Sequence, residues 1–162
     1  SFLGMSLGSC ASIQFAVKHP ERINKISMLT ASGFAPARLS YLFKALPLML
    51  LGKWGADRNY KLISYGMSMP DEVFQFGRLV SKHYKPMLEP IPVFTDEELS
   101  SIEVPLQYFG GEHDALLNTT ATAARIRTLF PEAEINLLKE TGHVVLGKTD
   151  EIINFLIKDE AN

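Results

Sequence analysis

The sequence predicts an α/β fold in which parallel strands are flanked by helices. Three observations carry this prediction. Short β-rich runs alternate with helical segments, polar residues follow the strand ends, and a Gly-x-Ser-x-Gly motif joins the first strand to the first helix. The chain has 162 residues, of which 46% are hydrophobic and 21% are charged, so it has enough apolar side chains to build a core.

The motif is Gly4-Met5-Ser6-Leu7-Gly8, and it follows the apolar pair Phe2-Leu3. A sharp turn from strand to helix would project the Ser6 hydroxyl clear of both elements. We expect a side chain at Gly4 or Gly8 to collide where the strand and the helix nearly touch. The helix is predicted over 9–18 and the next strand over 23–30.

Two further strands are predicted near the end of the chain, and each is followed by a titratable residue. The run 104–109 leads into Gly110-Gly111-Glu112-His113-Asp114, and a helix is predicted over 119–130. A strand over 134–138 then leads to Thr141-Gly142-His143, and 150–157 closes as a helix. Parallel strands present their carboxyl ends at one sheet edge, so Asp114 and His143 are expected near Ser6.

The middle of the chain has a different character. Residues 34–100 lack strand alternation and are rich in Leu, Met, Phe and Tyr at helical spacing. Helices are predicted over 41–51, 58–67 and 71–84, with a short helix starting at Thr95, and with Pro86, Pro90 and Pro92 in the returning loop. We therefore divide the chain into an α/β part (1–33), a helical segment (34–100) and a second α/β part (101–162).

These motifs, in the order Ser…Asp…His, resemble the α/β-hydrolase fold superfamily of serine hydrolases from its nucleophile elbow onward. The elbow Gly4–Gly8, the strand end Gly110–Asp114 and the turn Thr141–His143 carry the resemblance. It implies the C-terminal part of that fold, with residues 34–100 as a helical cap over the active site. The family places about four more strands ahead of the elbow, on the order of a hundred residues. We therefore expect a fragment whose partner is the missing N-terminal part or a second copy of the chain.

The resemblance also implies roles for the residues. Ser6 would be the nucleophile, His143 the general base, and Asp114 the group that orients the imidazole. The Leu7 N–H is the one oxyanion donor that can be assigned, because the second would come from an earlier loop. The expected substrate-binding side chains are apolar and lie beside Ser6, in the helical segment or beside His143: Met5, Phe43, Leu46, Met49, Trp54 and Val144. The alternative for the four helical ones is that they pack the helices together.

The expected function is hydrolysis of a small or medium hydrophobic carboxylic ester, or a related acyl compound, through an acyl-enzyme. C–C bond hydrolysis, acyl transfer and perhydrolysis remain open within the same fold. An aspartate would replace Ser6 in the haloalkane dehalogenase branch, so that branch is disfavoured. An inert fragment or a binding module that keeps only the fold is the alternative outside catalysis.

Composition excludes several other classes. The net charge of −2 leaves no basic footprint for nucleic acid. The longest apolar stretch, 45–51, is far shorter than the ~20 residues that a membrane span needs. The single cysteine, Cys10, is interpreted as a small packed residue, and a cytoplasmic location is expected. We expect no metal and no cofactor, since no ligand cluster and no nucleotide-binding motif occur. His113 is expected to point away from Asp114 as a surface or supporting residue.

Overall fold

The computed structural model describes residues 1–68, 70–83 and 91–158. Four strands form one parallel sheet in chain order: β1 (Phe2–Met5), β2 (Ile26–Leu29), β3 (Leu106–Gly111) and β4 (Glu134–Leu138). The helices are α1 (Leu7–Lys18), α2 (Leu39–Met49), α3 (Gly52–Ile63), α4 (Asp71–His83), α5 (Asp96–Ser100), α6 (Thr119–Leu129) and α7 (Thr149–Ile157), with a 3-10 turn at Pro20–Arg22. The predicted α/β class with a parallel sheet is confirmed.

Helices cover both faces of the sheet, as expected for parallel strands that are buried on both sides. The main core cluster lies between the sheet and α1, α5 and α6, and it includes Ile13, Met28, Leu99 and Ile126. A smaller cluster on the opposite face joins Phe109 to α7. The helices predicted over 119–130 and 150–157, observed as α6 and α7, therefore pack on opposite sides of one sheet.

A row of polar side chains crosses the sheet at one level. Ser27, Gln107 and Glu134 are register partners on β2, β3 and β4. The Ser27 hydroxyl donates to the Gln107 side-chain oxygen at 2.8 Å, and the Gln107 amide nitrogen donates to Glu134 at 3.0 Å. Ser27 and Gln107 are buried, so their hydrogen bonds are made within the protein.

The helices α2, α3 and α4 follow β2 in the chain and precede β3. The short helix α5 behaves differently, since Phe94 and Leu99 lie in the main core cluster. By its packing, α5 belongs with the α/β core, whereas the sequence-based division assigned it to the helical segment. No helix among the described residues is both long and apolar enough to cross a membrane.

The boundaries of α3 correct the sequence prediction of a helix over 58–67. The helix begins six residues earlier, at Gly52. A Cβ at Gly55 would strike the Leu48 carbonyl, so glycine at this position lets α2 and α3 approach closely. It ends at Ile63 because Tyr65 and Gly66 adopt left-handed backbone angles, with φ of 55° and 74°.

Two strand boundaries also differ from the prediction. β2 begins only at Ile26, after the 3-10 turn, and ends before Thr30, whose φ is 43°. β3 extends through Gly110 and Gly111, which the sequence placed beyond its end. Tyr84, the predicted end of the helix over 71–84, lies outside the described residues, as do Pro86 and Pro90 of the predicted returning loop.

Candidate active site

Ser6 lies at the turn between β1 and α1, with φ of 52° and ψ of −115°. Positive φ is uncommon for a residue with a side chain, so the surrounding contacts must hold it in place. The Ser6 N–H donates to the Leu29 carbonyl at 2.9 Å, and the Ser32 hydroxyl donates to the Ser6 carbonyl at 2.9 Å. The end of β2 and the segment after it thus fix the backbone on both sides of Ser6, one through its N–H and the other through its carbonyl.

The two glycines of the motif have different roles. A Cβ at Gly4 would lie 2.7 Å from backbone atoms of Gly8 and Ser9, so this position requires glycine. A Cβ at Gly8 would meet nothing within 4 Å. The expected collision at Gly8 is therefore wrong, because this residue lies on the open side of α1.

Leu7 is the first residue of α1. The first N–H groups of a helix have no carbonyl one turn earlier to bond with, and the helix dipole makes this end positive. The Leu7 N–H is therefore available to an anion beside Ser6. The Leu7 side chain is 60% exposed and that of Met5 is 45% exposed, so apolar surface flanks the turn.

Asp114 and His143 meet at the carboxyl ends of β3 and β4. The distance between His143 Nδ1 and Asp114 Oδ2 is 2.8 Å, and both residues are buried, with 8% and 1% of their surface exposed. A hydrogen bond to a carboxylate in a buried site is stronger than one between neutral groups in water. This pair is the central feature of the site.

The second oxygen of Asp114 is also occupied. Oδ1 accepts hydrogen bonds from the N–H groups of Leu116 at 2.8 Å and Leu117 at 2.9 Å. The carbonyls of these two residues accept in turn from Arg38, through its backbone N–H at 2.8 Å and its Nε at 3.1 Å. The carboxylate is therefore held in one orientation by its own loop, and that loop is held by the start of the helical segment.

The His143 backbone is held on both sides. Its carbonyl accepts a hydrogen bond from the Thr30 hydroxyl at 3.1 Å, and its N–H donates to the Ile63 carbonyl at the end of α3 at 2.8 Å. His143 therefore has contacts with the acid loop, with the end of β2 and with the helical segment.

The structure brings Asp114 and His143 into direct contact, and it links Ser6 to His143 through the consecutive residues Leu29, by its carbonyl, and Thr30, by its side-chain hydroxyl. The Ser6 hydroxyl makes no hydrogen bond with any residue in the described ranges, and Ser6 is half-buried. Catalytic hydrogen bonds are often long without substrate, so this geometry is compatible with a serine that engages the imidazole when substrate binds.

The predicted substrate-binding side chains are mostly open to solvent. Those on α2 and α3 are 58% to 78% exposed: Phe43, Leu46, Met49 and Trp54. Met49 also borders a cavity of about 530 Å³ between α2, α3 and α4. Val144 is half-buried beside His143. Their role in substrate binding stays a prediction.

Sequence reasoning missed three residues that support the site: Thr30, Arg38 and Tyr65. The position of Thr30 carried a signal, because a polar residue directly after β2 lies at the same sheet edge as Asp114 and His143. Arg38 and Tyr65 carried none, since they reach the site only through the folding of the helical segment. His113, expected to point away, stacks on the Tyr65 ring at 4.0 Å.

Two buried groups near the site have perturbed acidity. Burial raises the pKa of the Cys10 thiol, so the thiol stays protonated and unreactive at neutral pH. Burial, with a smaller contribution from the Asp114 charge, raises the pKa of the Tyr108 hydroxyl. That hydroxyl has no hydrogen-bond partner within the part of the chain that the structure describes. No three His, Cys, Asp or Glu side chains in the same part are grouped as a metal site.

Comparison with known proteins finds curated carboxylesterases that are similar to this chain. It is 28% identical over 159 residues to the uncharacterized carboxylesterase nap of Bacillus subtilis (strain 168), covering 94% of this chain and 53% of that protein. It is also 28% identical over 166 residues to carboxylesterase YbfK of the same organism, covering 93% and 53%. The chain thus spans about half the length of the curated relatives it matches. No protein-family model matches it.

Solved structures agree with these relatives. The naproxen esterase (carboxylesterase NP) from Bacillus subtilis has a TM-score of 0.76 at 26% identity, over 99% of this chain and 59% of that one. Carboxylesterase CesB (YbfK) gives 0.73 at 25% identity, over 96% and 57%. The hydrolase BphD from Rhodococcus sp. strain RHA1, at 17% identity, a TM-score of 0.77 and coverage of 96% and 62%, shares the fold alone. The parallel sheet, the turn at Ser6 and these structures together show that the chain has the α/β-hydrolase fold.

Proposed function

We propose that the protein hydrolyses small or medium hydrophobic carboxylic esters through an acyl-enzyme. Ser6 is the nucleophile, His143 the general base and Asp114 the partner that orients it. The observation that carries this proposal is the buried 2.8 Å contact between Asp114 and His143. The similarity to carboxylesterases of Bacillus subtilis supports an ester as the substrate.

The contact with Asp114 defines which nitrogen of His143 can act as a base. A carboxylate 2.8 Å from Nδ1 favours a proton on that nitrogen, because the ionised acid can only accept a hydrogen bond. The lone pair of the neutral imidazole is then on Nε2. In the proposed reaction, Nε2 removes the Ser6 proton as the serine oxygen attacks the ester carbonyl, and Asp114 stabilises the imidazolium that forms.

The carbonyl oxygen becomes negatively charged during this attack. The Leu7 N–H, at the positive end of α1, is the donor that would stabilise it. The imidazolium then protonates the departing alcohol, which leaves the acyl group on Ser6. A water molecule, deprotonated by His143, then attacks the acyl-enzyme. The imidazolium returns this proton to the Ser6 oxygen as the carboxylic acid leaves, which restores the free enzyme.

The surroundings of Ser6 support a hydrophobic substrate. Exposed apolar side chains lie next to the reacting groups in the chain, with Met5 and Leu7 on either side of Ser6, and Leu146 three residues after His143. Burying such surface against an acyl chain gains about 25 cal/mol per Å². A sugar or a peptide would leave polar groups unpaired there. In this proposal the helical segment 34–100 acts as a cap over the substrate.

Covalent labelling tests the proposal directly. The protein, as it is naturally produced, would be treated with a fluorophosphonate probe, and its intact mass and its turnover of p-nitrophenyl butyrate would be measured. We expect one adduct on Ser6 and a loss of kcat of about 10⁴-fold or more in Ser6→Ala. Ser101→Ala, which changes an exposed serine of the loop after α5, is the matched control. It should keep both the reaction with the probe and the turnover of p-nitrophenyl butyrate.

Either of two results would contradict the proposal. Labelling that persists in Ser6→Ala would mean that another residue is the nucleophile. An unlabelled protein without esterase activity would favour a binding module or an inert fragment that retains the fold.

A further inference from the structure

The turn after α3 contacts the loop that carries His143. The Ile63 carbonyl accepts the His143 N–H at 2.8 Å. A Cβ at Gly142, the residue before, would lie 2.5 Å from that carbonyl oxygen and 2.9 Å from the Tyr65 nitrogen. The backbones therefore touch so closely that only glycine fits between them.

The same turn contacts the loop that carries Asp114. The Tyr65 ring stacks on the imidazole of His113 with the ring centres 4.0 Å apart and the planes within 2° of parallel. His113 directly precedes Asp114, and its N–H donates to the Thr141 carbonyl at 3.0 Å. Tyr65 thus lies at the junction of the two loops whose side chains meet in the Asp114–His143 pair.

The backbone of Tyr65 indicates that this position is constrained. Its φ of 55° is unusual for an aromatic residue, and the following Gly66 N–H donates to the Lys61 carbonyl at 2.9 Å, which closes the helix end. Tyr65 is nevertheless 46% exposed, so its ring fills little of the core. The ring contact that the structure shows for Tyr65, among the described residues, is the stack on His113.

We propose that Tyr65 is a positioning residue that holds the Asp114–His143 pair in its reactive geometry by stacking on His113. This inference rests on the proposed function. Loss of the ring frees His113 and lets the two loops shift against each other. The imidazole then presents Nε2 to Ser6 less accurately, and small errors of this kind are costly, since a displacement of 1 Å can reduce a rate about 100-fold. The hydroxyl of Tyr65 has no part in the stack.

The test is a set of variants assayed with p-nitrophenyl butyrate in the protein as naturally produced. Tyr65→Ala should lower kcat about tenfold and change KM less than twofold, because the acyl-binding surface is untouched. Tyr65→Phe should keep kcat within about twofold, since the ring is retained. His113→Ala should resemble Tyr65→Ala, and the double variant should be no worse than either, as expected for two residues that act through one contact.

Phe74→Ala is the matched control. Phe74 forms another aromatic pair of the helical segment, with Tyr60 at 5.4 Å between ring centres, and that pair lies between α3 and α4. A general loosening of the segment should therefore affect Phe74→Ala and Tyr65→Ala alike. We expect Phe74→Ala to lower the Tm without changing kcat.

The outcomes separate this inference from the proposed function. An active protein whose Tyr65→Ala variant keeps its kcat, or whose Tyr65→Phe variant loses as much as Tyr65→Ala, would overturn the inference alone. A wild-type protein without turnover would overturn the proposed function and this inference with it. A tenfold loss of kcat in Tyr65→Ala that Tyr65→Phe restores, with Phe74→Ala unaffected, would support it.

Discussion

The Thr30 hydroxyl donates a hydrogen bond of 3.1 Å to the main-chain carbonyl of His143, across 113 residues of sequence. The carbonyl of Leu29, the residue before Thr30, accepts a hydrogen bond of 2.9 Å from the Ser6 N–H. Leu29, the last residue of β2, and Thr30, which follows it, therefore hold the backbones of the two residues that would exchange a proton in the proposed reaction.

Replacement of Thr30 by valine should reduce both stability and activity. Thr30 is fully buried, so Thr30→Val leaves the His143 carbonyl without this donor, at a cost of about 1–3 kcal/mol in the free energy of unfolding. Thr30→Ser keeps the hydroxyl and should preserve kcat. Urea unfolding would measure the stability of both variants, and esterase kinetics would measure their kcat. If Thr30→Ser lost as much stability and activity as Thr30→Val, the methyl group of Thr30 and not its hydroxyl would be responsible.

Asp114→Asn should abolish most of the activity while the fold is kept. The amide oxygen can still accept from Leu116 and Leu117, but the amide nitrogen facing His143 favours the wrong tautomer. The expected loss of kcat is about 10⁴-fold, with little change in Tm.

Asp96→Asn is the control for Asp114→Asn, because it removes the exposed carboxylate of the Asp96–Arg125 ion pair, which joins α5 to α6. It should leave kcat unchanged. Near-normal kcat in Asp114→Asn would rule out Asp114 as the orienting acid.

Alanine substitutions at the two glycines of the Ser6 motif should have opposite effects. Gly4→Ala forces a Cβ to within 2.7 Å of the α1 backbone and should cost about 1–3 kcal/mol or prevent folding. Gly8→Ala meets open space in the first turn of a helix and should be neutral or stabilise by up to about 1 kcal/mol. Thermal unfolding of the pair checks this. A destabilised Gly8→Ala would indicate a neighbour that approaches α1 from this side.

Tyr108→Phe should leave the free energy of unfolding unchanged at neutral pH and should reduce the loss of stability at alkaline pH. The hydroxyl has no partner in the described part of the chain, so its removal should not destabilise the protein at pH 7. Burial raises the pKa of Tyr108. The unfolded chain therefore loses this proton near pH 10 while the folded protein keeps it, and wild-type stability falls as the pH rises above that value.

The free energy of unfolding of both proteins at pH 8 and pH 11 isolates the effect of Tyr108 ionisation, because Cys10 contributes equally to each. Tyr108→Phe should lose less stability between these values than the wild type. A cost above about 1 kcal/mol at pH 8 would mean that the hydroxyl has a hydrogen-bond partner after all.

The sequence was most informative where local patterns decide structure. Helical spacing and strand-like runs located α6, β4 and α7 within one or two residues, and the strand ends brought Asp114 to His143 as expected. Asp114 makes two kinds of contact, one with its own loop and one with His143. An aspartate after two glycines usually supports a turn, and here Oδ1 serves the loop while Oδ2 contacts the histidine.

The features that sequence could not predict depend on contacts between distant segments. No helix is predicted over 52–57, yet α3 begins at Gly52, and glycine at Gly55 permits the close packing of α2 and α3. Tyr65 has no pattern that connects it to His113, because the contact exists only once the helical segment is folded onto the loops. The sequence places Gly142 only within the turn Thr141–His143, whereas the structure requires glycine there for the approach of the Ile63 carbonyl.

The hydrogen-bonded row Ser27–Gln107–Glu134 helps to specify the register of β2, β3 and β4. Strands made largely of apolar residues can slip by two positions and still bury similar side chains. Such a slip would displace a strand end by about 6.6 Å and would separate His143 or Asp114 from its partner. It would also leave the buried Gln107 amide unpaired, at a cost of about 1–3 kcal/mol. The hydrogen bonds of this row therefore disfavour strand registers in which the sheet would still form but Asp114 and His143 would be too far apart to pair.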